Sequence, residues 1–273
     1  GSFHQTRLSF SRQLIDELIL NNWKTEIIKW NINSIGTGNA VIKISSKQRI
    51  YSLVVFSHQI NDDERSDRVI AEKWDMTFSL FLGIPSKEEL DEMSKNLKIQ
   101  ELGRHLPKQL TLSRANKSVR VFNSVLNNLS EGKQPDEKMI NNIGYLVRTT
   151  AVYGNGKFGI ADYLPETNDN PLNKPFQAEM LTVYLIRYFS IELVNYLAKE
   201  KGKDKSITLS NEISKHVGVG NATGLGMAPF LINHQKLIHK WIQARETAIS
   251  RVLSIKKLST YNQTKIFNLI ERA

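Results

Sequence analysis

The stretch from Phe176 to Lys201 constrains this chain more than any other part of it. It is the longest and most apolar helical pattern in the sequence, and Gly202 ends it. A helix that is apolar round most of its circumference has to be enclosed by other elements. It is therefore expected to be the central helix of the fold. Glu179 and Arg187 lie within it, eight residues and about 80° apart round the axis. Among Leu181, Val183, Leu185 and Ile186, at least one of the two is expected to be partly buried. An ion pair to another helix would explain that burial, and so would acid–base work or anion clamping.

The N-terminal third reads as a helix followed by strands. Ser9 or Ser11 can cap a helix whose stripe is Leu14, Ile15, Leu18 and Ile19. Residues Thr25–Asn33 favour β structure, Gly36-Thr37-Gly38-Asn39 supplies a turn, and Val41–Ser45 and Ile50–Ser57 follow as strands. Between Arg68 and Leu82 the apolar residues Ile70, Trp74, Met76, Phe78 and Leu80 alternate with polar ones, which predicts a fourth strand. That alternation sets Glu72 on the apolar face. A carboxylate there needs a partner such as Arg68 or Arg120, or a catalytic role.

The remainder reads as mainly helical. Ser86 and Glu89 have the spacing of a capping box, Lys117–Leu129 has helical periodicity up to Gly132, and Pro135-Asp136-Glu137 opens a further helix. Pro229 and Ser259 open the last two. The expectation is an α+β fold: an N-terminal antiparallel β-meander of about four strands joined to a larger, mainly α-helical body. The division would fall at residues 1–83 and 84–273, which can pack as one domain. Gly1-Ser2 reads as a cloning scar, which leaves room for the chain to be a piece cut from a longer one.

Composition excludes several classes. Hydrophobic residues make up 40% of the 273, and no apolar run approaches the roughly 18–20 residues of a membrane span. There is no cysteine, so disulfide scaffolds, thiol catalysis and cysteine-bound zinc are out. A cytoplasmic location is the matching expectation. Net charge is +10. From Lys236 onward eight cations against two anions leave +6, so the tail holds most of the excess. A solvated helix face explains this, as does a docking surface for nucleic acid, an acidic protein or a missing domain.

Two glycine-rich segments carry the sharper signal. Gly154-Asn155-Gly156-Lys157-Phe158-Gly159 matches G-x-G-x-x-G, but Pro165, Pro171 and Pro175 follow and argue against a crossover helix of the dinucleotide-binding type. The Walker spacing fails, and the kinase glycine loop is not followed by V-A-I-K, H-R-D or D-F-G. Backbone N–H groups at Asn155 and Lys157 could still cradle an anion, with Arg148, Thr149 and Thr150 just upstream. The second segment, Gly218–Gly226, has four glycines in nine residues, is poor in either regular structure, and leads to Pro229. His216-Val217-Gly218-Val219-Gly220 resembles a helix-hairpin-helix turn, although Gly224, Gly226 and Pro229 interrupt the helix that should follow. Close packing without a ligand is the remaining reading.

Other chemistry is sparse. His234 and His239 are about 140° apart on a helix and cannot share a metal as an i, i+4 pair would. His58, His105 and His216 stand alone, so no metal site and no particular cofactor is indicated. The basic segment Arg114–Arg120 could bind phosphate or simply begin a helix. The expectation is an enzyme or ligand-binding domain for an anionic small molecule held between segments 154–159 and 218–226. Arg148, Thr150, Asn155, Lys157, Asn221 and Thr223 would bind the anion, and Glu72, Asp162 or Glu179 would be the acid–base group, with Arg187 and His234 as further candidates. Nucleic-acid binding through the basic C-terminal helices is the alternative, and an interaction module, by way of a missing domain or a homo-oligomer, is the third. No membrane partner is expected.

Overall fold

The computed structural model describes residues 23–47, 49–64, 74–95, 97, 106–153, 177–221, 250 and 259–272. Seven strands form one sheet: β1 (Lys24–Ile32), β2 (Gly38–Ser45), β3 (Ile50–Ser57), β4 (Met76–Leu82), β5 (Leu112–Lys117), β6 (Tyr145–Tyr153) and β7 (Gly218–Asn221). They lie in the sheet in chain order, and the sheet curls into a half-barrel. Neighbours are antiparallel from β1 to β6, whereas β7 runs parallel to β6. Six helices are described: α1 (Lys87–Lys95), α2 (Phe122–Ser130), α3 (Glu137–Ile143), α4 (Gln177–Gly202), α5 (Asn211–Ser214) and α6 (Thr260–Arg272).

This corrects the expected α+β division. The sheet is not a four-strand N-terminal meander beside a helical body, because β5, β6 and β7 continue it to residue 221. The half expected to be helical supplies three of the seven strands. Residues expected to begin the helix at Lys117 close β5 instead, and the helix starts at Phe122. The expected helices near Ser9 and Pro229 lie outside the described residues.

α4 is central, as its composition demands. Leu181, Leu185, Ile186, Phe189, Leu193 and Val194 are buried against the inner face of the sheet, where Ile42, Leu53, Val55, Met76, Phe78, Leu80 and Ala115 alternate with residues of the outer face. The Phe189 ring meets Phe78 edge-on with centroids 5.7 Å apart, and Trp30 packs on Phe189 at 5.6 Å. Such aromatic pairs add about 0.5–1.5 kcal/mol to the burial of their area. On the outer face of β3 and β4, α1 brings Met93 onto Val54, Phe56 and Phe81.

Local signals explain the ends of elements. Ser86 and Glu89 cap α1 reciprocally, Glu89 N–H donating to Ser86 Oγ at 3.2 Å and Ser86 N–H to Glu89 Oε2 at 2.9 Å. Burial raises the Glu89 carboxyl, but the Ser86 N–H and Lys108 outweigh it and hold the group below its ordinary range. Asp136 caps α3 by accepting from Lys138 N–H at 2.9 Å. Gly38 is at φ 135°, and a Cβ there would stand 1.9 Å from the Asn31 carbonyl oxygen, so the β1–β2 hairpin requires glycine.

Candidate functional site

The site is built on β6, α4 and β7. β6 (YLVRTTAVY) is rich in β-branched and aromatic residues and pairs on one side with β5 and on the other with β7. Parallel neighbours cannot be joined by a hairpin, and α4 belongs to the long crossover between them. The proline-rich stretch after Gly159 therefore does not prevent a crossover helix, contrary to the sequence expectation. That helix begins at Gln177 rather than from the glycine segment itself, so the dinucleotide-binding arrangement is still not met.

Because β6 and β7 are parallel, their carboxyl ends face the same end of the sheet. The segment 154–159 begins directly after Tyr153, and residues 222–226 begin directly after Asn221. Thr149 pairs with Asn221, so Tyr153 lies four residues further along. At about 3.3 Å per residue and 4.8 Å between strands, the two exits are about 14 Å apart. α4 starts at this same end. Thr182, in its second turn, shares a 2.7 Å hydroxyl–hydroxyl hydrogen bond with Thr111, which adjoins Leu112, and Leu112 pairs with Tyr153.

Gly218–Asn221 is strand rather than loop, which corrects the reading of the second glycine segment. Gly220 has a packing reason: an added Cβ would meet the Tyr145 ring at 2.8 Å. Thr149 Oγ1 donates to the Gly220 carbonyl at 3.2 Å and ties the short strand to β6. Arg187 secures the approach to β7. Its Nε donates to the Val217 carbonyl at 2.6 Å and an Nη to the Ser214 carbonyl at 2.7 Å. Burial, its main influence, lowers the guanidinium to about 10, so it remains a cation at neutral pH. The expected burial of an ionisable group on α4 is thus met by Arg187, acting on backbone carbonyls.

Arg148 is half-buried on β6 with no hydrogen bond or ion pair among the described residues. It pairs across the sheet with Asn116 of β5. Cross-strand partners share a face, so Arg148 and Asn116 both belong to the outer face. Thr150 and Asn221 lie in β6 and β7, and Glu179 lies in the first turn of α4; for these three only the backbone is described. Glu72, Asn155, Lys157, Asp162, Thr223 and His234 lie outside the described residues. Of the eight cations from Lys236 onward, Lys265 on α6 has a described side chain, and it is exposed.

The sequence misses the role of β5. Arg114 and Asn116 read as the polar lead-in to a helix, yet they are 3% and 7% exposed within the sheet. Asn116 Oδ1 accepts from Asp75 N–H at 3.0 Å, and Asp75 Oδ2 accepts from Lys117 N–H at 2.6 Å, which extends the β4–β5 ladder. Arg114 stands opposite Thr77 on β4. Toward β6 the register slips between Ser113 and Ala115, where Arg114 faces Thr150 and Ala151. The available signal was the two cations and an amide in a segment flanked by Leu112 and Val119.

A separate cleft of about 610 Å³ opens at the other end of α4, between Leu197, Phe122, Ile60, Ile35, Lys117 and Lys201. The glycine exits do not line it. Among the described residues no helix is long and apolar enough to cross a membrane, and no group of three His, Asp or Glu residues could hold a metal ion. Comparison with protein-family models, with curated proteins and with solved structures gives no match for this chain.

Proposed function

We propose that the chain binds an anionic small molecule at the end of the sheet where β6 and β7 stop. One observation carries this reading: two adjacent parallel strands lead straight into the two glycine-rich segments. Ligands of open α/β sheets sit outside the carboxyl ends of such strands, and glycine-rich backbone offers N–H groups to an anion without side-chain hindrance. Arg148 adds a half-buried guanidinium with no partner among the described residues. Thr150, Asn155, Lys157, Asn221 and Thr223 complete the proposed anion site. An enzyme built on it would take its acid–base group from Glu72, Asp162 or Glu179. Of these, Glu179 stands on the described first turn of α4, at this end of the sheet.

The test is a thermal-unfolding and calorimetric titration with inorganic phosphate, against chloride at matched ionic strength. Saturable stabilisation is expected in the natural chain, with at least a tenfold loss of affinity in Arg148→Gln. Equal melting temperatures in phosphate and chloride would overturn the reading, as would unchanged affinity in the variant.

A further inference from the structure

We infer that the cleft between α2 and α4 binds a monoanion with an apolar body, of the aryl- or alkyl-carboxylate class. Lys117 and Lys201 hold its charge, and Ile60, Leu126 and Leu197 hold its body. This is a second site, at the other end of α4 from the glycine exits, and it does not depend on the anion-binding reading above.

The cleft measures about 610 Å³, and small-molecule sites span about 300–1,000 Å³. Its floor is apolar, with Phe122, Leu197 and Ile60 at 1%, 5% and 6% exposure. Leu126 is half-buried one turn along α2 from Phe122, and Lys201 stands one turn along α4 from Leu197. The Lys117 ammonium lies over the Phe122 ring, 5.3 Å from its centroid. A Cβ at Gly36 would stand 3.6 Å from Lys117 Nζ and 3.2 Å from Leu197 Cδ1. Ammonium and leucine therefore flank one point under the turn of the β1–β2 hairpin. The Lys117 N–H donates to Asp75 Oδ2 at 2.6 Å, which fixes the backbone from which this side chain extends. One wall of the cleft thus joins a positioned cation to an apolar floor.

The charged groups of the lining are Lys117, Lys201, Asp62 and Glu200, and their partners decide the sign. Glu200 is offset by Lys203, whose Nζ is 3.5 Å from Oε2. Lys201 instead donates to the neutral Asn127 amide oxygen at 2.6 Å, which leaves its charge in place. Asp62 stands on the exposed rim. That sets Lys117 and Lys201 against Asp62, an excess of one positive charge. An ammonium has three N–H donors, so a ligand oxygen adds to the contacts each lysine already makes. Lysine is a compact point charge without the planar fork that fits phosphate oxygens in pairs, so a single negative charge matches it. A small hydrated ion would gain nothing from Ile60, Leu126 and Leu197. A ligand whose apolar body covers them removes that surface from water.

The experiment measures affinity for phenylbutyrate, phenylbutanol and butyrate by calorimetry in the natural chain and in Lys201→Gln, Asn123→Trp and Arg148→Gln. Asn123 and Lys201 are exposed, and Gln keeps an N–H donor toward Asn127, so both cleft variants are expected to fold. Asn123 lines the cleft, and the indole of Asn123→Trp would fill it. The expected result is that phenylbutyrate binds at least fivefold more tightly than either phenylbutanol or butyrate. Lys201→Gln should weaken phenylbutyrate three- to tenfold and leave phenylbutanol within twofold. Asn123→Trp should abolish binding of both, and Arg148→Gln should change neither. If phenylbutanol binds as tightly as phenylbutyrate, or Lys201→Gln has no effect, the anionic assignment falls. If Arg148→Gln weakens phenylbutyrate and Asn123→Trp does not, the ligand sits at the glycine exits and this inference falls. If phosphate binds the natural chain and phenylbutyrate does not, the reading of the sheet end stands and this one falls.

Discussion

From β2 to β4 the sheet is a run of antiparallel neighbours whose inner face is apolar at every second residue, whereas from β5 to β7 buried polar residues mix with apolar ones and the register slips. Ala40, Ile42, Ile44, Tyr51, Leu53, Val55, Met76, Phe78 and Leu80 line the first half and are all buried. The second half buries Ser113, Arg114, Asn116 and Thr149, slips register in both of its pairings, and ends in a four-residue parallel strand. β2, β3 and β4 keep unbroken register by burial, since a one-residue slip would turn every apolar side chain outward, and the slip on that side of the sheet falls between Ile27 and Lys29 of the more exposed β1. The second half buries Ala115, Leu146, Val147 and Val219 in the same core and is also tied by bonds from outside the ladder: Asp75 to β5, Thr149 and Arg187 to β7. Single polar groups therefore add to burial in setting the geometry of the half that carries the candidate site.

The largest effect is expected from Arg187→Met. It removes two charge-assisted hydrogen bonds, to the Val217 and Ser214 carbonyls, of which the Ser214 carbonyl keeps the Val217 N–H, at a cost of about 3 kcal/mol in urea unfolding. Amide exchange should accelerate first at Val219–Asn221, while β2 and β3 stay protected. Uniform acceleration across the sheet would show that the two halves do not differ in this way.

A smaller effect is expected from Gly220→Ala. The new methyl would overlap the Tyr145 ring, and displacing it costs about 1–3 kcal/mol. A double-mutant cycle with Tyr145→Leu should recover about 1 kcal/mol of that. No recovery would mean that Gly220 is needed for the backbone rather than for the ring.

The smallest effect concerns α4 itself. Burial raises the Glu192 carboxyl above its ordinary value, so the folded chain holds that proton more tightly than the unfolded one. Stability from this group is present at low pH and is lost as pH rises through the window between the ordinary and the raised value. Glu192→Gln should therefore raise the melting temperature at pH 7 by about 1–2 °C, with the gain vanishing near pH 4. A loss at pH 7 would show that the charged carboxylate is favourably paired.

Legibility in the sequence follows the same division. Between Met76 and Leu80 the alternation of Met76, Phe78 and Leu80 with Thr77 and Ser79 announces β4, and Phe176–Lys201 announces α4, because burial there is one-sided or complete. β5 (LSRANK) shows no alternation, since its buried polar residues lean on Asp75 and Thr77, about 40 residues earlier in the chain. β7 is four residues long with two glycines, and its strand conformation comes from pairing with β6. For the site, Arg148 was visible as a cation near a glycine segment, but its neighbours Arg114 and Asn116 become neighbours through register alone. β6 could have been found from its run of Tyr, Val and Thr.

Strand order also sets a timetable for synthesis. Strands β1 to β6 can pair in the sequence in which a ribosome releases them, each against its predecessor. β6 then presents an unpaired edge until Gly218 emerges, about 65 residues later. At roughly 5–20 residues per second that interval lasts about 3–13 s. Until α4 folds and β7 docks, the nascent chain carries an open edge at the strand that β7 later covers. Misassociation between chains is thus concentrated at β6.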